Sequence, residues 1–261
     1  MTLSMECHKP CRKAKLCRRN CSVSACQSAV SFDPKSNLEG SETRLLKHCP
    51  WWAVSNSKES DMKYFKRIRV NVPVEPFLTE IAAVDDAWAN ATGRQEKIAV
   101  QREALAVPLR GLRKSMILGR ARRDVHESRW TTGSVNFPVA RAFLEDVSAE
   151  LDADLSRAKI VCLPAGKRVY PHIDRGEYYR LRGRYHFVLK SSAGSWLKAG
   201  EEEVRMKEGE LWWFDNDQMH EAFNDGNEDR IHIIFDLLPA EMRSRASAAT
   251  AAARAKYEKA A

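Results

Sequence analysis

The spacing of hydrophobic positions changes several times along the chain. Ile68, Val70 and Val72 alternate with polar neighbours, predicting a strand over 66–74 that Pro73 and Pro76 end. Phe77, Ile81, Val84, Ala87 and Trp88 then share one face of a helix over 77–90, with Pro76 opening it. Residues 103–109 read as a short strand. Over 137–155, Val139, Phe143, Val147 and Leu151 recur every four residues, close to the 3.6-residue turn, which predicts an amphipathic helix. After that the period drops to two. Short runs at 160–163, 169–173, 184–189, 203–206, 210–214, 221–224 and 231–237 are separated by turn residues such as Pro164-Ala165-Gly166. Strands this short and this frequent predict a sandwich or barrel and argue against a parallel sheet with crossover helices. The body is therefore α+β, helices first. Residues 239–261 are Ala-rich and predict an exposed helix without chemistry.

Residues 1–58 have a different texture, basic and rich in Cys and Ser with no sustained period. The expected organisation is a leader over 1–58, a domain over 59–240 and a helical tail over 241–261. Of the net charge of +8, the first 50 residues supply +5, from nine Lys/Arg against four Asp/Glu, leaving +3 for the other 211. A positive excess confined to one end argues against a domain that reads nucleic acid. The body has one basic run, 110–123, with six Lys/Arg; it reads as a solvated face and only faintly as a hint of an acidic substrate. Six of the seven cysteines lie in the first 49 residues, at spacings unlike the paired short spacings of structural zinc sites. No apolar stretch approaches the ~18 residues a bilayer span needs. The basic residues Lys9 to Arg19 are not followed by the apolar core of a signal peptide, so the expected location is cytoplasmic.

Three residue types converge in the strand-rich part. His172 and Asp174 are two apart, so on a strand their side chains point to the same side. His220 follows 46 residues after Asp174. Two imidazoles and one carboxylate on one face of a metal leave positions open, which suits iron(II) binding an oxoacid together with dioxygen. Arg230 comes ten residues after His220, at the start of an apolar run. A guanidinium at a barrel mouth calls for a carboxylate, which its planar fork matches. Taken singly, each residue also has a plain reading: a chance H-x-D pair, a core histidine, a turn arginine. Their order and their placement on expected strands favour the metal site.

The text around these residues resembles the aspartyl/asparaginyl β-hydroxylase-like group of 2-oxoglutarate oxygenases. The resemblance rests on Pro164-Ala165-Gly166-Lys167-Arg168-Val169-Tyr170-Pro171-His172, on Arg184-Tyr185-His186-Phe187 and on Gly209-Glu210-Leu211-Trp212-Trp213-Phe214-Asp215. It continues with His220-Glu221-Ala222-Phe223-Asn224 and Arg230, so that it spans roughly residues 159–238. It implies a double-stranded β-helix, the jelly roll shared with cupins. It also implies His172 and His220 as iron ligands, Arg230 on the distal carboxylate of 2-oxoglutarate, and Arg184 and His186 lining the oxoacid and substrate pocket. Dioxygen would be the second co-substrate. Two departures stand out. Asp174 supplies a carboxylate ligand that the animal protein hydroxylases of the group lack, and Val161 falls where those enzymes have an oxoacid-binding serine.

Asp215 and Asn224 are candidates to support the histidines, with turn roles equally compatible. Trp212, Trp213 and Phe214 read as strand interior before substrate cage, His232 as a packed strand histidine, and His126 has no motif around it. The expected substrate is a protein or peptide side chain of Asp, Asn or Pro type, or a small amino-acid-like molecule, with neither nucleic acid nor membrane as partner. A cupin-like binding module without turnover, or a metal-dependent isomerase or lyase on the same barrel, are the alternatives. Neither gives Arg230 a task. The oligomeric state is not readable.

Overall fold

The computed structural model describes residues 62–89, 98–112 and 126–258, all within a unit spanning Pro50–Ala261. The 1–58 leader and most of the basic run 110–123 lie outside the described residues. Among the described residues, eleven strands form two sheets. The larger has β1 (Phe65–Arg69), β9 (Leu211–Phe214), β6 (Gly183–Lys190), β11 (Arg230–Pro239), β4 (Ala153–Leu163), β2 (Leu105–Gly111) and β3 (Arg129–Trp130), in that order. The smaller has β5 (Arg168–His172), β10 (His220–Asn224), β7 (Ser195–Ala199) and β8 (Glu202–Val204). From β4 to β7 successive strands alternate between sheets, and β9, β10 and β11 do so again, with antiparallel pairing throughout. That winding is the double-stranded β-helix.

Alternation along each strand gives the larger sheet two different faces. Phe187, Leu189, Ile233, Phe235 and Leu237 point outward against helices α1 (Glu75–Ala82) and α2 (Pro138–Glu150). Phe187 stacks on Phe143 with centroids 4.3 Å apart and meets Phe77 edge-on at 5.1 Å. The opposite face, including Val161, Leu163, Val188, Trp212 and Phe214, turns toward the smaller sheet and its Leu197, Ala199 and Ala222. The helices thus brace one side of the larger sheet and leave the other for the site. Gly209 makes the turn before β9 at φ +77°, where a Cβ would stand 2.7 Å from the Val72 carbonyl oxygen.

Three element boundaries differ from the sequence pattern, each at a non-glycine residue with positive φ. β1 stops at Arg69 because Asn71 (φ 56°) turns the chain before Val72 and Val74, which nonetheless reach the core. α1 stops at Ala82, with Asp86 (φ 50°) in the turns that follow. α2 stops at Glu150 because Asp152 (φ 43°) reverses the backbone; residues 153–155, read as helix, begin the long strand β4. Strands β3 and β7 and the one-turn helix α3 (Glu177–Arg180) went unread. The expected tail helix is α4 (Arg243–Glu258), and Ala246 packs with Leu181 and Leu238 instead of standing clear of the fold. Among the described residues, no helix is long and apolar enough to cross a membrane.

Candidate metal centre and its cavity

His172 ends β5 and His220 begins β10, and the two are direct partners across that antiparallel pair. Their ring centroids lie 4.2 Å apart. Asp174 lies two residues beyond the end of β5, outside the strand whose alternation was expected to direct it. Its backbone N–H is held by the Asn216 carbonyl at 3.3 Å. One donor atom from each of His172, Asp174 and His220 falls within 4.8 Å of the others, the one group of this kind among the described residues.

Both imidazoles are oriented by backbone. His172 Nδ1 is 2.7 Å from the Tyr170 carbonyl, and His220 Nδ1 is 2.9 Å from that of Gln218. A carbonyl only accepts, so each Nδ1 carries the proton and each Nε2 is left with its lone pair. Burial holds His220 well below its usual range, at about 4, with His172 adding to the effect, so it is neutral and ready to ligate near pH 7. Burial opposes ionisation of Asp174, but Arg184, His220 and His172 outweigh it and hold the carboxyl below its usual range. Two imidazoles and one carboxylate fit iron(II).

Asp215 and Asn224 do not touch the histidines. Asp215 accepts from Gln218 Nε2 at 2.9 Å, bracing the residue whose carbonyl orients His220. Asn224 donates to the carbonyls of Leu163 and Glu228, a strand-joining role. The clamp on Asp174 comes from residues the sequence reading did not single out or assigned elsewhere. Arg184 Nη1 donates to Asp174 Oδ2, while its Nε donates to Asp236 Oδ1 at 2.9 Å. Asn216 Nδ2 also approaches Asp174 Oδ2, at 3.5 Å. Arg184 does line the cavity, as the resemblance implies, but its guanidinium is already committed to two carboxylates.

The metal-site histidines border a cavity of about 50 Å³ whose wall includes Val161, Leu163, His186, Phe214, Arg230 and Lys159. Arg230 is 5% exposed. No hydrogen-bond acceptor or carboxylate among the described residues pairs with it, and burial alone draws it down to about 10. His186 is held well below its usual range by burial and then by Arg230 and Arg184. His232, on the same face of β11, is lowered likewise by burial, Arg230 and His186; its Nδ1 lies 3.4 Å from that of His186, and its Nε2 has no hydrogen-bond partner among the described residues. Val161, the residue in the serine position, presents only an apolar wall here. Trp212 lies in the strand interior and donates to Glu210 at 2.8 Å, whereas Phe214 reaches the cavity. His126 lies at the other end of Arg182, its Nδ1 3.0 Å from Nη1.

The profile of the aspartyl/asparaginyl beta-hydroxylase family matches residues 118–239, a span containing every residue of the site. The match covers somewhat less than half of the chain. No curated protein matches this chain. Solved structures with a distant likeness include a viral collagen prolyl hydroxylase from Paramecium Bursaria Chlorella virus-1 (12% identity, 69% of this chain and 98% of that one, TM-score 0.38). A Pseudomonas putida prolyl-4-hydroxylase is similar at 13% identity over 68% of this chain and 94% of its own, TM-score 0.38. A Burkholderia pseudomallei oxidoreductase of the 2OG-Fe(II) oxygenase family is similar at 9% identity over 66% and 93%, TM-score 0.39.

Proposed function

We propose that the domain over 59–240 is an iron(II)- and 2-oxoglutarate-dependent oxygenase. It hydroxylates an unactivated C–H bond of an amino-acid residue in a peptide, or of a small amino-acid-like molecule. The observation that carries this is Arg230: a buried guanidinium without an acceptor, on the wall of the cavity that the metal-site histidines border. An isolated buried cation is costly, and its planar fork matches a carboxylate in two hydrogen bonds. A dicarboxylate with one end at the three donors and the other at Arg230 satisfies both.

Bound iron(II), with the oxoacid and dioxygen, would supply the oxidising chemistry. The chain's own residues do the positioning. His172 and His220 present Nε2, each fixed by a backbone carbonyl, and Asp174 presents its carboxylate, restrained by Arg184. Val161, Leu163, Leu197 and Phe214 keep water from the space between the metal donors and Arg230. His186, neutral and beside Arg230, adds a hydrogen-bonding edge to the same wall. A non-catalytic cupin-like module, or an isomerase using the same donors, leaves Arg230 without a partner.

The test is an anaerobic titration of the full chain with iron(II) and then 2-oxoglutarate, followed by visible absorption, and a succinate assay in air. A visible metal-to-ligand charge-transfer band, lost in His220→Ala and Arg230→Ala, together with succinate release, is the expected result. Folded, metal-loaded protein that gives neither band nor succinate would overturn the oxygenase reading.

A further inference from the structure

His232 lies on β11 between Val161 of β4 and Val188 of β6, its register partners on either side. Both neighbours are apolar, and the ring is 1% exposed. A histidine in such a row is costly unless each polar atom finds a partner. One does: Nδ1 lies 3.4 Å from Nδ1 of His186. Nε2 has no hydrogen-bond partner among the described residues. The metal centre and the Arg230 pocket assign this ring no task.

His186 is the ring through which His232 reaches the cavity. It lines that space together with Arg230, and Phe214 touches both it and the metal-site His220, with centroids 5.1 and 5.2 Å away. The two histidine rings cross at 85°, their centroids 5.5 Å apart. With Nδ1 turned to His232, the opposite edge of His186, carrying Nε2, is left to the cavity.

Both rings are neutral near pH 7, because burial first and Arg230 next hold them well below the usual range. Between two neutral imidazoles one Nδ1 donates and the other accepts. The two choices differ at the far ends of the rings. If His186 donates, its Nε2 turns a bare lone pair to the cavity, and His232 Nε2–H becomes a buried donor without an acceptor. If His232 donates, His186 carries its proton on Nε2, and only a lone pair of His232 goes unpaired. For backbone groups a buried N–H without an acceptor is rarer than an under-used acceptor, and the same cost falls on a ring N–H. A carboxylate at Arg230 accepts and cannot donate, so it favours the second choice again. Val161 and Leu163, on the same wall, bring no side-chain donor.

We propose that His232 is a positioning residue for the co-substrate: its Nδ1–H fixes His186 as the Nε2–H tautomer, which donates, beside Arg230, to the carboxylate held in the cavity. The proposal rests on the oxygenase reading for the identity of that carboxylate.

Two measurements on the full chain test it. Two-bond nitrogen–proton correlation NMR of the metal-free protein near neutral pH assigns the tautomers, and the expected result is His232 protonated at Nδ1 and His186 at Nε2. Calorimetric titration of 2-oxoglutarate into the manganese(II)-loaded chain reads the consequence. His232→Leu loses about tenfold in affinity, the scale of one hydrogen bond to a charged group. His232→Asn, whose amide nitrogen takes the place of Nδ1–H, stays within about threefold of wild type. A purely structural ring predicts the reverse order, since Leu suits an apolar row better than Asn. His186 protonated at Nδ1, or equal affinity in His232→Leu and wild type, overturns the proposal and leaves wild-type succinate release, and so the oxygenase reading, intact. If His232→Leu does not fold, the tautomers of the wild-type chain decide. Wild-type protein that binds no 2-oxoglutarate and releases no succinate overturns the oxygenase reading, and this proposal with it.

Discussion

Arg184 grips two carboxylates at once, Asp174 beside the metal-site histidines and Asp236 on the neighbouring strand β11. The pair Arg184 and Asp174 joins the two sheets, because Arg184 stands on β6 while Asp174 follows β5. Burial works against the charge on Arg184, but the two carboxylates outweigh it and raise its pKa further. Its task is to hold a ligand in place. Arg184→Lys keeps the charge but loses the fork that spans two acids. Manganese(II) affinity, read by calorimetry, is expected to fall about tenfold, the lower end of what removing such a supporting contact costs. Unchanged affinity would show that Asp174 holds its position without help.

Arg230 separates stability from function. In Arg230→Met the buried, unpartnered cation is replaced by a chain of similar length, and urea unfolding of the metal-free protein should show a gain of about 1 kcal/mol. The same variant should lose at least thirtyfold in 2-oxoglutarate affinity, about 2 kcal/mol, as expected when one partner of a buried charge pair is truncated. Manganese(II) affinity should stay within about twofold, because Arg230 is not among the donors. A destabilised Arg230→Met would mean that the guanidinium has a partner within the fold.

The buried histidines impose a pH dependence on the metal-free chain. His186, His232 and His220 all have folded pKa values below the ordinary 6.5, chiefly through burial. Below pH ~6.5 the unfolded chain takes up protons that the folded chain refuses, so stability is full above that value and falls as pH drops toward the folded values. Each histidine contributes a slope of up to about 1.4 kcal/mol per pH unit. Urea midpoints between pH 7 and 5 should decline, and His232→Gln should flatten the decline. A wild-type curve flat over that interval would contradict the burial of these rings.

Phe187→Ala tests the bracing of the inner face. The ring is fully buried between Phe143 and Phe77, at the junction of the larger sheet with both helices. Its loss should cost about 3–5 kcal/mol in urea unfolding. A cost below ~1 kcal/mol would mean that the helices pack elsewhere.

The parts of the site legible in the sequence were those with local signatures. His172 and Asp174 are two apart, His220 follows a run of turn residues, and Arg230 opens an apolar strand, so spacing alone brought them together. The clamp on Asp174 was not legible, because Asp236 is 52 residues from Arg184 and reads as one polar position in a strand. For the support of the histidines the sequence left Asp215 and Asn224 open between that role and a turn role; the support comes from backbone carbonyls, which leave no trace in residue identity. The helix over 137–155 ran too far for a similar reason. Leu151 and Leu155 keep the four-residue period, and only the left-handed conformation of Asp152 shows that the chain has turned. The strand β7 went unread because its buried positions are Ser195, Leu197 and Ala199, only one of them a large hydrophobe, while Trp196 sits on the other face.

The metal donors belong to the four-stranded sheet and its loops, whereas Arg230, Lys159 and Arg184 belong to the seven-stranded one. A dicarboxylate lying between them is therefore a tie across the sandwich, and its occupancy and the closeness of the two sheets share one free energy. Any substitution that lets the sheets part, however far from the metal, loosens the co-substrate; saturating co-substrate in turn stiffens the whole β-helix. The layer that carries the chemistry is also the layer that holds the protein shut.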